Sequence, residues 1–289
     1  MEREPAQILL ARESRVALGP VPHRLEDTVV AEMSWYLAGE EFLLRARGNH
    51  WFHYRKGFGV TIERGAGARV EAEALWLDGS VYSAIAAING FVPIHASAVC
   101  HDGAVFAFAG QSGAGKSTLA TALAASGLPL FADDTLILDL SEAGGVVALP
   151  GHKRLKLTPE AIALTGATAG EEVGGPVEKR YADAAQIWRG GPLPLAGLLF
   201  LETGDPAAIT PLSGAERMLR LRDGHYTTQH YTAARQLDPA GLFAHLSRLA
   251  RDLPMGVFRR PIDTARFGES VACALAHIRG MTQGGNKAE

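Results

Sequence analysis

The sequence predicts an α/β protein built around a phosphate-binding loop, with a small β-rich region ahead of it. Three observations carry this. The segment Gly110-Gln111-Ser112-Gly113-Ala114-Gly115-Lys116-Ser117-Thr118 has a glycine, four residues and then Gly-Lys-Ser, the spacing of a phosphate loop. An apolar run, Ala104 to Ala109, precedes it and reads as a buried strand, and a helix-forming run, Thr118 to Ala125, follows it. Residues 1–74 show short apolar runs broken by turn residues instead.

Each part of the loop has a physical task. Glycines let the backbone curl until successive N–H groups face one anion. The new helix aims its positive end at the same point. Lys116 then reaches the β- and γ-phosphates, and the Ser117 hydroxyl ligates magnesium. The alternative is a glycine-rich turn that matches by chance; the agreement of strand, loop and helix stands against it. The motif implies a nucleoside triphosphate and leaves open what is done with it.

The 289 residues are 47% hydrophobic and 20% charged, enough for one large domain or a main domain with a small one. A net charge of −3 and a pI near 6.4 give no broad electrostatic footprint for nucleic acid. Cys100 and Cys273 belong to no metal-spaced cluster and read as small core residues in a reducing compartment. Met1 to Pro5 is charged and leads into no signal-peptide core. The apolar run Leu193 to Leu201 is too short, and too interrupted by Pro194 and Gly197, to span a membrane. A cytoplasmic protein with neither membrane nor nucleic-acid partner is expected.

In chain order, Glu41–Ala46, Trp51–Tyr54 and Phe58–Glu63 read as strands of the N-terminal region, residues 1–74. Trp35, Tyr36, Trp51 and Tyr54 read as core aromatics, with a binding surface as the alternative. Asp78-Gly79-Ser80 reads as the cap of a helix over Val81–Ile88. Phe91 to Cys100, the turn His101-Asp102-Gly103 and the loop strand together read as a hairpin, so the loop strand gains an antiparallel neighbour. After the loop helix, Leu128 to Ala132 leads to Asp133-Asp134. A carboxylate there suits Mg2+, which takes oxygen ligands, and a second one can take a proton from an attacking hydroxyl. The alternative is a plain turn.

His152-Lys153-Arg154-Leu155-Lys156-Leu157 is a strand whose cations face either phosphates or an acidic substrate, or simply solvent. Residues 165–180, rich in glycine and ending in Glu178-Lys179-Arg180, predict a mobile lid with cations at its tip. His225-Tyr226 and His230-Tyr231 are weak metal candidates, lacking a carboxylate or cysteine at ligand spacing. Pro239 to Leu253 is an amphipathic helix, and a last helix over Gly268–Arg279 stops at Gly280. Residues 75–281 form the main domain, and 282–289 a disordered tail.

Ile94-His95-Ala96-Ser97-Ala98-Val99, the Asp-Gly turn, the loop and Phe131-Ala132-Asp133-Asp134 together resemble the catalytic core of the HPr kinase/phosphorylase family. The likeness is dense over about residues 92–140 and thins towards 280. It implies a fold similar to phosphoenolpyruvate carboxykinase around the loop and ATP- and Mg2+-dependent phosphorylation of a serine on a peptide or small protein. By position, it implies phosphate binding by Lys116, magnesium binding by Ser117 and Asp134, proton acceptance by Asp133, and a place for His95 near the phosphates. Lys179 or Arg180 closes over the γ-phosphate in this reading. The family's Glu-Ile-Arg-Gly stretch is absent, and the N-terminal region differs from the family's. The chain is therefore closer to compact relatives, some similar to kinases that modify ribosomal precursor peptides of the lasso type. The resemblance also suggests a homo-oligomer. A nucleotide-binding regulatory module and a small-molecule kinase are the competing readings.

Overall fold

The computed structural model describes residues 4–285 except 29, 33, 48, 142–144, 174–177, 223–224 and 237–238, with backbone alone for 30–31 and 283–285. It is a mixed α/β protein with a six-stranded, a nine-stranded and a three-stranded sheet among these residues. The six-stranded sheet contains strands Glu41–Ala46, His50–Arg55 and Gly59–Arg64 in antiparallel register, as the alternation of apolar and polar residues predicts. Its inward residues, Phe42, Leu44, Phe52, Tyr54, Val60 and Ile62, pack against Ala84, Ile85 and Ile88 of the following helix. The aromatics Trp35 and Tyr54 are core; Trp51 is half-buried and stacks on His23 at 4.5 Å. A helix over Ala6–Glu13 lies ahead of this sheet, and sequence reading missed it.

The loop strand, Ala104–Ala109, forms the expected hairpin with Ala96–His101. Asp102 and Gly103 both have positive φ, +46° and +73°, which a tight two-residue turn of this hand requires. On its other side the loop strand runs parallel to the long strand Leu193–Thr203, which in turn runs parallel to Met255–Arg260. The loop strand alternates cleanly. Phe106 and Phe108 face the loop helix, Lys116–Ala125, and the last helix, while Val105, Ala107 and Ala109 face the opposite core with Leu249 and Leu253. A layer on each face thus fixes the strand whose carboxyl end starts the loop.

Three expectations are corrected. Asp78-Gly79-Ser80 does not cap a helix. It lies inside a continuous helical run from Glu73 to Ile88, in a widened turn over Leu77–Val81. Asp-Gly-Ser is good cap chemistry, but Leu75, Trp76 and Leu77 keep the preceding segment packed in helical form. The last helix does not stop at Gly280 but runs over Phe267–Gly285, because buried Ala274 and Ile278 anchor it to the sheet more strongly than one glycine weakens it. It thereby takes in residues 282–285 of the expected tail; 286–289 lie outside the described residues. The expected lid is in part a hairpin, Thr168–Glu172 paired with Arg180–Asp183; its residues 174–177 lie outside the described residues.

His230, from the helix Tyr226–Ala234, is 1% exposed and packs edge-on against Trp35 and Phe42. Burial, then the neighbouring His225, pushes its pKa down to about 3. A depressed histidine is neutral when folded and takes a proton when unfolded, so stability falls as pH drops from about 6.5 towards that folded value. Denaturant melts across this window are expected to be shallower in pH for His230→Leu than for the natural chain, by up to about 1.4 kcal/mol per pH unit.

Candidate active site

Glycine makes the loop possible. Gly110, Gly113 and Gly115 hold φ of +144°, +86° and +82°. Gly115 is also where the Arg260 guanidinium passes, so a Cβ would collide with it; Arg260 donates to the Ala114 carbonyl from the end of its strand. The helix starts immediately after, at Lys116, with its amides turned to the loop. Lys116 is 6% exposed, and its ammonium donates back to the carbonyls of Gly110 and Gln111 at 2.9 and 3.2 Å.

The two aspartates are unlike. Asp133 is 2% exposed and accepts hydrogen bonds from Ser97 at 2.5 Å and from Ser117 at 2.9 and 3.2 Å. Burial, then the charge of Asp134, raises its pKa against the pull of those hydroxyls. Asp134 has φ of +67°, inside a tight turn closed by the Thr135 N–H to the Asp133 carbonyl at 2.8 Å. That turn sends the two carboxylates to different neighbours. Lys156 donates to Asp134 at 2.9 Å, and His95 Nε2 lies 3.8 Å from it. Burial alone would raise the Asp134 pKa; the Lys156 ammonium and the nearby histidines outweigh it and the net shift is downward. The Lys156 pKa moves up for the same reason, against its own burial. Sequence reading pairs Ser117 with Asp134; the hydrogen bonds pair it with Asp133.

His95 lies at the mouth of the site. Its pKa is lowered to about 3 by burial, then by Lys116 and His225, so its ring is neutral at neutral pH. The ring centroids of His95 and His225 are 3.7 Å apart, and those of His225 and Tyr226 4.1 Å. His225 is held at the start of its helix, where its Nδ1 accepts from the Thr227 N–H. These groups meet at a cavity of about 540 Å³ that takes in Lys116, Ser117, both aspartates, Lys156 and Tyr226. The widened helical turn contributes Gly79, whose Cα faces Asp134 and the Tyr226 hydroxyl so closely that a Cβ would touch both at 3.4 Å. On the other side of the loop a second cavity, about 900 Å³, is walled by Gly110–Ala114, Leu201, Leu219, Arg260 and Ile262.

Of the sequence-selected residues, Lys116, Ser117, Thr118, Asp133, Asp134 and Lys179 share the smaller cavity, while Gly110, Gln111 and Ala114 line the larger one and His95, Ser112 and Gly113 line both. Gly115 lies at the smaller cavity, at the helix start. Arg180 does not join them; its guanidinium donates to the Gly170 carbonyl and pairs with Glu172 at 3.7 Å. Lys156 is the cation of the basic strand that faces the site. His225 and Tyr226 enter as ring partners of His95 rather than as metal ligands, and among the described residues no cluster of three or more His, Cys, Asp or Glu could hold a metal. Ser97 and Arg260 carry no sequence signal as site residues, because their roles depend on two strands lying either side of the loop.

The Lys156–Asp134 pair is mostly buried, with side chains 12% and 28% exposed. Lys156→Met leaves Asp134 as an uncompensated carboxylate, and a loss of about 2–3 kcal/mol is expected in denaturant melts at pH 7. Adding Asp134→Leu is expected to restore most of it, since replacing both partners of such a pair is nearly neutral.

No family model matches the chain, and no curated protein matches it. Among the described residues, no helix is long and apolar enough to cross a membrane. Among solved structures, the chain is similar to the HPr(Ser) kinase/phosphatase from Coxiella burnetii, at 13% identity over 66% of this chain and 98% of that one, with a TM-score of 0.35.

Proposed function

We propose that the chain is a phosphotransferase that moves the γ-phosphoryl group of ATP to a serine hydroxyl of a peptide or small protein. The observation that supports this most is the hydrogen bond from Ser117, the residue after the loop lysine, to the buried carboxylate of Asp133. A hydroxyl and a carboxylate at the start of a phosphate-loop helix are the oxygen donors that Mg2+ takes from protein, the rest coming from phosphates and water. Ser117 and Asp133 would hold the ion; once bound, it neutralises charge between the phosphates. Asp134 is the poorer metal ligand, since Lys156 already occupies it.

The division of labour between the aspartates is therefore revised. Both aspartates line the smaller cavity, but Asp133 is held by Ser97 and Ser117 and would lie with the phosphates, while Asp134 and His95 would face an entering acceptor hydroxyl. Negative phosphates beside His95 offset the Lys116 charge that depresses its pKa, so the ring becomes a better proton acceptor in the loaded site. Lys179, at the rim, is the cation available to the γ-phosphate. The nucleoside fits the larger cavity, because ligands of such sheets sit beyond the carboxyl ends of parallel strands, here the loop strand, Leu193–Thr203 and Met255–Arg260. Leu219 and Ile262, 67% and 81% exposed, give it apolar walls for a base.

Incubation with ATP and Mg2+ and a panel of serine-containing peptides is expected to add about 80 daltons, one phosphoryl group, to a subset of them. Nucleotide binding without transfer to any peptide, serine or sugar contradicts the reading and leaves a nucleotide-binding regulatory module.

A further inference from the structure

We propose that a groove beside Pro129, bounded by Lys153, Arg154 and Arg189, docks an acidic segment of the peptide substrate; the word substrate rests on the phosphotransferase reading above. The groove has a volume of about 720 Å³ and carries three cations against one carboxylate, that of Asp183, which is exposed. Several arginines elsewhere on this surface have carboxylate partners, such as Arg12 with Glu4, Arg64 with Glu73, Arg251 with Asp252 and Arg266 with Asp205, while others such as Arg45 and Arg55 lie singly over aromatic rings. Among the described residues, no carboxylate comes within ion-pair distance of Lys153, Arg154 or Arg189. Lys153 donates only to its neighbour's carbonyl, Gly151, at 2.9 Å. Arg154 lies over the ring of Tyr181 at 3.8 Å, a contact that fixes its guanidinium and leaves its charge unmatched. Burial lowers the Lys153 pKa, against the pull of Cys100, and Arg189 adds repulsion, so the groove holds like charges that an anion would relieve.

The groove leads to the reaction cavity along one strand face. In Leu155–Leu157, Leu155 and Leu157 go to the core, so Arg154 and Lys156 lie on the opposite face. Arg154 borders the groove and Lys156 the cavity, two residues or about 7 Å apart. Pro129 also borders the groove and Asp133 the cavity, at the two ends of the strand Leu130–Ala132, about 13 Å apart along the chain. An extended peptide whose hydroxyl enters beside Asp134 thus brings side chains two to four residues away over the cations.

The test is equilibrium binding, by fluorescence anisotropy, of a labelled ten-residue peptide with one serine and glutamates three and four residues from it, against its glutamine counterpart. The acidic peptide is expected to bind about tenfold more tightly at low salt. In Lys153→Gln/Arg189→Gln that preference is expected to disappear, with the melting temperature and Mg-ATP binding unchanged. Arg189→Glu, at an exposed position, is expected to favour a lysine-substituted peptide instead. Equal binding of the acidic and glutamine peptides, survival of the preference in the double variant, or tighter binding of a ten-nucleotide oligomer or phosphatidylglycerol vesicles overturns the proposal. Binding needs no turnover, so absence of any acidic preference in the natural chain, with its ATP transfer intact, sinks the groove alone. An acidic preference without any ATP binding sinks the phosphotransferase reading alone.

Discussion

Lys116→Ala is expected to lose Mg-ATP binding and to lower phosphoryl transfer by about 10³-fold, the range for removing a preorganised charge from a phosphoryl-transfer site. The Lys116 ammonium now caps two loop carbonyls and lies beside the start of a helix whose amides also favour anions. Incoming phosphates would replace those carbonyls as its partners, at little cost in reorganisation. The fold is expected to survive. The carbonyls left behind belong to the half-open loop, and water can reach them, so the cost is that of two ordinary hydrogen bonds, about 1–3 kcal/mol. Calorimetric titration with Mg-ATP reads the binding, and a thermal melt separates loss of binding from loss of fold.

Asp133→Asn is expected to have the second largest effect, with opposite signs for activity and stability. Its carboxylate has a raised pKa when folded. Such a group stabilises fully below its unfolded pKa, and that contribution is lost as pH rises through the folded value, so keeping this carboxyl buried weighs against the fold once the unfolded chain ionises it. Asparagine keeps an oxygen for Ser97 or Ser117 and removes the repulsion from Asp134. The variant is expected to melt at the same temperature or higher without magnesium. It is also expected to lose the rise in melting temperature that Mg-ATP gives the natural chain and to transfer phosphoryl groups about 10²–10³-fold more slowly. A variant that melts lower yet keeps the Mg-ATP shift would mean that Asp133 is only structural.

The loop was legible because its requirements are local. Gly110, Gly113 and Gly115 are needed for backbone shape, Lys116 and Ser117 for reach, and the flanking strand and helix follow from a short apolar run and a run of helix formers beside the glycines. The hairpin before it was legible for the same reason, since Asp102-Gly103 supplies the turn that the twist of two strands demands. The resemblance gives the proton to Asp133 and the metal to Asp134; what sequence did not show is which neighbours each carboxylate has. That depends on Asp134 adopting a left-handed backbone and on Lys156, 22 residues along the chain, arriving beside it. His225 was visible only as a histidine next to a tyrosine, because its ring contact with His95 joins segments 130 residues apart. Gly79 was misread because the need for it comes from Asp134 and Tyr226 on other elements, not from its own helix.

A crystal structure with Mg2+ and the non-hydrolysable β,γ-imido analogue of ATP tests the central claim most directly. The account predicts the triphosphate on the Lys116 ammonium and the loop amides, the metal on the Ser117 hydroxyl on the side of Asp133, the base between Leu219 and Ile262, and the γ-phosphate facing the cavity that holds Asp134 and His95. Metal ligated by Asp134 with Lys156 displaced, or a triphosphate bound away from the loop, would contradict it.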